Sequence, residues 1–250
     1  MNTRDTHEPA TTAPVVMLPG QAAAPEGPCD LWGMYVMHHA FRRDLGRFAA
    51  TVGDVPTSER ARWAGLARRW DRFTTFLHEH HTKEDEILWP ALRARVDAAA
   101  DIAGADLLDA MESEHEVLDP LVARVSAGLE LLARGGDSSD REGLAATLAE
   151  TARTLDEHLA HEERDAVALI QHHLSSAEWQ QLERAGLAAK PGPRDLLFML
   201  PWIADGLGEA DLGPLLSEGG AVVRMLLALG RRGYVRRERD LFGVEVRLPR

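Results

Sequence analysis

Four stretches of the chain carry apolar residues at alternating steps of three and four, and a histidine interrupts each stripe. The first stripe is Leu31, Met34, His38, Phe41, Leu45, Phe48 and Val52. The second is Trp63, Leu66, Trp70, Phe73, Leu77, His80, Glu84, Ile87 and Ala91. The third is Leu108, Met111, His115, Leu118, Val122, Val125, Leu129 and Leu132. The fourth is Leu144, Leu148, Thr151, Leu155, His158, Glu162, Ala166 and Leu169. This is the period of a helix that buries one side. Segments rich in Gly, Pro, Asp and Ser at 52–58, 98–106 and 134–140 punctuate the stripes. Helices are therefore expected over about 29–52, 58–97, 105–134 and 140–174. Short connections make neighbours antiparallel, so the expected fold is all-α, an up-down-up-down antiparallel four-helix bundle.

The ends of the chain have a different texture. Residues 1–27, rich in Pro, Ala and Thr, read as a disordered or loosely packed N-terminal arm, and 28–175 as the bundle. Residues 176–250 read as a helical C-terminal extension packed on it. The extension opens with a Ser-capped helix in SSAEWQQLERAGLAA. Its last part, 219–250, has eight Arg against three acidic residues and is expected to dock through VVRMLLAL with its Arg in water, the alternative being an interfacial helix or a contact with an acidic partner. A net charge of −12 argues against nonspecific nucleic-acid binding. Cys29 is the only cysteine, which excludes an intrachain disulfide and a thiolate metal cluster. Without a secretory leader pattern or a membrane-length apolar run, a soluble cytoplasmic protein is expected. Only Lys83 and Lys190 are lysines, and the excess of Arg reads as a GC-rich bacterial genome.

The interruptions of the stripes carry the chemistry. A carboxylate buried in an apolar core costs several kcal/mol unless it is paired or coordinated. Glu84 and Glu162, with His38, His80, His115 and His158, are costly one by one but coherent as a single polar cluster on the bundle axis. His-x-x-x-Glu occurs at 80–84 and 158–162, which puts both side chains on one helix face a turn apart. Imidazole and carboxylate ligands without thiolates suit Fe, Mn, Zn or Ni. Four imidazoles and two carboxylates exceed the needs of one tetrahedral zinc and fit two metals bridged by Glu84 and Glu162. Heights along the helices agree except at the first turn. There His80 lies about 10 Å too far along its helix to meet His38. Either the second helix starts later than Ser58, or residues 53–62 form an overhanging turn. His39, His78, His81 and His161 flank the stripes and read as solvated or as supporting the cluster. Asp85, Glu86, Glu163 and Asp165 read as a charged outer face, from which one could orient a ligand imidazole. His7, His172 and His173 read as surface residues.

His38 in MHHAFRRDL, with HHTKEDEILWPAL, ESEHEVLDPL and HLAHEERDAV, resembles the hemerythrin-like family, the HHE cation-binding domain. The resemblance covers about residues 30–174. It implies a nonhaem di-iron site inside the bundle, with Mn or Zn as less favoured occupants. His38, His80, Glu84, His115, His158 and Glu162 would be the iron ligands. It further implies small diatomic or peroxide ligands, O2, peroxide or NO among them. Classical members carry a fifth histidine four residues before the one matching His115, where this chain has Met111. Water, Glu112, His81 or His161 would complete the site, with His39 a further neighbour. The more open site suits a di-iron oxidoreductase as an alternative to a carrier or sensor, and a single structural metal as a third reading.

Overall fold

The computed structural model describes Ala13, residues 15–187 and residues 192–249. His7 and Lys190 lie outside the described residues. Among these residues there is no strand; the chain is helical, as its periodicity requires. The bundle consists of α1 (Trp32–Val52), α2 (Arg60–Lys83) continued by α3 (Trp89–Ala98), α4 (Ile102–Arg134), and α5 (Ser138–His161) continued by α6 (Val167–His173). The extension adds α7 (Ser176–Leu182), α8 (Pro193–Ala204), α9 (Gly213–Glu218) and α10 (Gly220–Phe242).

The helix ends are set by the expected chemistry. Asp101 accepts from the Gly104 amide at the start of α4, and Gly135 ends that helix at φ 117°. Asp137 and Asp140 form a reciprocal capping box on α5, and Ser175 with Glu178 forms another on α7.

Two π-turns interrupt the bundle helices, Glu84–Leu88 between α2 and α3 and Glu162–Ala166 between α5 and α6. Each begins at a stripe glutamate. A π-turn inserts one residue into the helical ladder and rotates everything after it. The stripe beyond Glu84 is therefore Leu88, Leu92 and Val96, with Ile87 and Ala91 only half-buried. Beyond Glu162 it is Ala166, Val167 and Ile170, with Leu169 half-buried. The uniform helical period placed Ile87, Ala91 and Leu169 in the core, and the inserted residues move them out.

The mismatch at the first turn has a structural cause. Fourteen residues separate His38 from the end of α1, and twenty separate the start of α2 from His80. The first turns of α2 overhang the end of α1. The end of α10 covers them: Arg62 Nε donates to the Leu241 carbonyl at 2.9 Å, and Leu241 lies against Gly65.

α1 and α2 touch far less than α1 and α5 or α2 and α4, and α8 and α10 fill the gap between them. Phe48 packs edge-on against both Trp70 and Phe242, with ring centroids 5.1 and 5.0 Å away. A buried ionic network ties the layers together. Arg69 of α2 donates to Asp44 of α1 at 2.5 Å and to Glu238 of α10 at 2.8 Å. Arg47 of α1 donates to Asp205 at 2.5 Å, and the Tyr234 hydroxyl donates to the same carboxylate oxygen at 2.9 Å. α8 and α10 approach closely at Gly230, where any side chain would meet the Leu197 carbonyl. The VVRMLLAL run contributes less to docking than expected. Val222, Met225 and Leu229 are exposed, and Leu227, Gly230, Tyr234, Glu238 and Phe242 are the buried positions of α10. The described part of the arm lies against the bundle, with Leu18 buried. No helix among the described residues is long and apolar enough to cross a membrane.

Candidate metal centre

α1, α2, α4 and α5 each deliver their stripe histidine to one buried point. The Nε2 atoms of His38 and His80 are 3.1 Å apart, and those of His115 and His158 are 3.2 Å apart. Both stripe glutamates enter the same space. Glu84 places Oε1 3.2 Å from His80 Nε2 and Oε2 3.7 Å from His115 Nε2. Glu162 Oε2 is 3.3 Å from His38 Nε2 and 3.9 Å from His158 Nε2. Each carboxylate thus spans from the His38/His80 side to the His115/His158 side. All six residues named from the stripes meet here.

A seventh joins them. His81 is buried, stacks on the His115 ring at 4.0 Å, and groups with His115 and His158 as three convergent donors. His38, His80, Glu84 and Glu162 form the other group of four. α4 presents Met111 to the core, and α2 presents a second imidazole instead.

The other candidates stand apart. Glu112 is exposed and lies outside the cluster. His161 is half-exposed, its Nδ1 2.8 Å from Glu114. His39 is buried but faces away from the centre, with Nδ1 3.1 Å from the Pro19 carbonyl and Nε2 3.3 Å from the Asp205 carbonyl. It fastens the arm and the extension to α1. His78 and His172 are exposed, and His173 sits 3.2 Å from Asp101.

Three carboxylates hold the imidazoles from behind. His38 Nδ1 is 3.0 Å from Glu163, His115 Nδ1 2.9 Å from Asp85, and His158 Nδ1 2.8 Å from Glu114. An ionised carboxylate only accepts, so each Nδ1 carries the hydrogen and each Nε2 is turned inward. Glu163 is the clear departure from the expected outer face. It is fully buried, receives Arg42 through two N–H donors at 2.6 and 3.1 Å, and accepts the Ala22 amide of the arm at 2.7 Å. It does orient a histidine of the cluster, the role open to one of the four acidic residues of that face. Glu114 carried no stripe signal at all, because its carboxylate reaches His158 from the edge of α4.

The cluster is unsatisfied by protein atoms alone. Among the described residues none of the four carboxylate oxygens of Glu84 and Glu162 has a hydrogen-bond partner, nor has His81 Nε2. The inward Nε2 atoms of His115 and His158 face each other at 3.2 Å. Protons relieve this only in part. Burial opposes a charge on His38, but the Glu162 and Glu163 carboxylates raise its pKa to about 9. Burial and the His38 charge lower the His80 pKa to about 3. Burial and the facing Glu162 push Glu84 well up. Glu162 is held below the usual range because His38 overcomes its burial. Buried polar atoms left this way cost a few kcal/mol each. Cations between the two groups would satisfy all of them, so the donor set fits a metal centre.

Residues 31–170, more than half of the chain, match the model of the hemerythrin HHE cation-binding domain. No curated protein and no solved structure matches the chain.

Proposed function

The chain belongs to the hemerythrin HHE cation-binding domain family, and on that premise we propose that it holds two iron ions and binds or reacts with O2, peroxide or NO. The observation that carries this reading is the double span of the carboxylates: Glu84 and Glu162 each face both histidine groups. His81, His115 and His158 would hold one ion, His38 and His80 the other, with Glu84 and Glu162 between them. Iron so held supplies reversible ligand binding or electron transfer to a small oxidant.

The chain's own residues define the rest. Asp85, Glu114 and Glu163 fix the imidazole orientations and strengthen them as donors. Leu77, Leu118, Leu155 and Phe41 are buried among the same stripes and keep bulk water out. The most open member of the cluster, His80, has only 12 % of its side chain exposed. That closure favours a diatomic or peroxide ligand over a bulky organic substrate. The same burial allows a di-iron oxidoreductase only if its substrate is comparably small.

Anaerobic loading with Fe(II), followed by O2, tests the reading. A visible absorption band that comes and goes with O2 supports a carrier or sensor. A band that forms once and does not reverse supports the oxidoreductase. An Fe(II)-loaded protein indifferent to O2, peroxide and NO would defeat both.

A further inference from the structure

We propose that Trp202, carried by the C-terminal extension, forms the outer wall of the His38/His80 side of the cluster and determines what reaches it. This rests on the metal-binding reading above, but the wall itself can be tested without metal. In a four-helix bundle adjacent helices ordinarily close on each other. Here α1 and α2 touch each other little, and Trp202 packs against residues of both. Phe41 lies one turn beyond His38 on α1, and Phe76 one turn before His80 on α2. Trp202 sits between these two rings, at 5.8 Å from Phe41 and 4.9 Å from Phe76. Phe41 in turn lies 5.4 Å from the His80 ring. The succession His80, Phe41, Trp202 therefore runs from the cluster outward, and its last member comes from outside the bundle.

The indole is fixed rather than merely packed. Its Nε1–H donates to Asp44 at 2.8 Å, and the Arg43 guanidinium lies 5.9 Å from its ring. Just beyond it the Asp205 carbonyl accepts from Arg43 at 2.7 Å and faces His39, the neighbour of His38. Trp202 is fully buried, and His80, on whose side it lies, is the most exposed of the cluster side chains. Removing the indole leaves Phe41 as the ring between His80 and the vacated space.

The test is diethyl pyrocarbonate modification of the metal-free full chain, with peptide mapping of His80 and His158. In Trp202→Ala, His80 is expected to react at least fivefold faster while His158 keeps its wild-type rate. Trp202→Phe, which retains a ring in the seam, should stay within twofold of wild type at both. An unchanged His80 rate in folded Trp202→Ala overturns the proposal. Should Trp202→Ala unfold, seen as His80 and His158 reacting alike, Trp202→Leu is judged by the same criterion. The loaded protein adds a second readout: iron should pass to an external chelator at least fivefold faster from Trp202→Ala than from wild type. A wild-type chain that takes up no iron, with His80 deprotected in Trp202→Ala, leaves the wall standing and removes the iron reading instead.

Discussion

His81 changes what the residues of the centre can do. Met111 occupies a core position of α4, and His81 brings a second imidazole of α2 to the His115/His158 group. It escapes the apolar stripe because it is adjacent to His80 in sequence, and a helix turns adjacent side chains by about 100°. Its ring still reaches the centre by lying flat on His115. His81→Ala is therefore expected to lower bound iron by about one ion per chain, while Glu84→Ala and His158→Ala each remove most of the metal. His39→Ala should retain the wild-type content, since both its nitrogens face carbonyls away from the centre. Metal analysis of the four variants checks this, and equal content in all of them would contradict the ligand set. Glu114→Gln should weaken metal retention about 10–100-fold, the usual effect of losing the partner that orients a ligand histidine. Competition with a chelator of known affinity measures it. The six stripe residues were legible because a buried His or Glu has no bland explanation in an apolar seam. The carboxylates behind them were legible only in part: Asp85 and Glu163 belong to the acidic set from which one could orient an imidazole, whereas Glu114 sits where a solvated charge is the ordinary expectation.

At the scale of elements, the two π-turns connect local structure to the site. Both begin at the glutamate of a His-x-x-x-Glu pair. The inserted residue opens the ladder where the carboxylate enters the centre and reassigns the core face beyond it. Leu88 is fully buried and Ile87 is not. Leu88→Ala should cost ~2–5 kcal/mol, the range for emptying a core leucine site. Ile87→Ala, half-buried, should cost clearly less. Urea unfolding of the metal-free variants decides between them, and the reverse order would contradict the π-turn register. A sequence period of 3.6 carries no mark of where one residue will be inserted. The seam before each glutamate was therefore readable; after Glu84 it was misassigned by one position, and after Glu162 the expected Ala166 is in the core while Ile170 takes the place of Leu169. The helix ends were readable for a different reason: Asp101, Asp137, Ser175 and Gly135 do local chemistry that needs no tertiary contact.

The whole molecule is a bundle whose first and second helices are held through a third party. The texture of the sequence marked the extension as helical, but nothing in it marked which seam it enters. Asp44 and Arg69 look solvated in the sequence until α8 and α10 cover them, and Glu238 until α10 docks on α2. Asp44 is the hinge of this network. Burial would raise its pKa, but Arg69 and Arg43, with the Trp202 indole, hold it below the ordinary aspartate range. A lowered folded pKa contributes stability at pH values above the unfolded pKa of about 3.9. That contribution is lost as pH falls through the folded value. Asp44→Asn should cost ~3 kcal/mol at neutral pH, toward the low end for breaking a buried ion pair because Arg69 keeps Glu238. The gap between wild type and variant should shrink as pH drops below the aspartate range. A gap that stays constant or widens there would contradict an ionised, paired Asp44.

Two buried groups of donors facing each other across two carboxylates make metal stoichiometry the decisive quantity. The measurement is iron per chain on the 250-residue chain, loaded anaerobically with Fe(II) and freed of excess. The account predicts two ions per chain in the wild type. A value of one, or none, at saturating Fe(II) would contradict the paired centre.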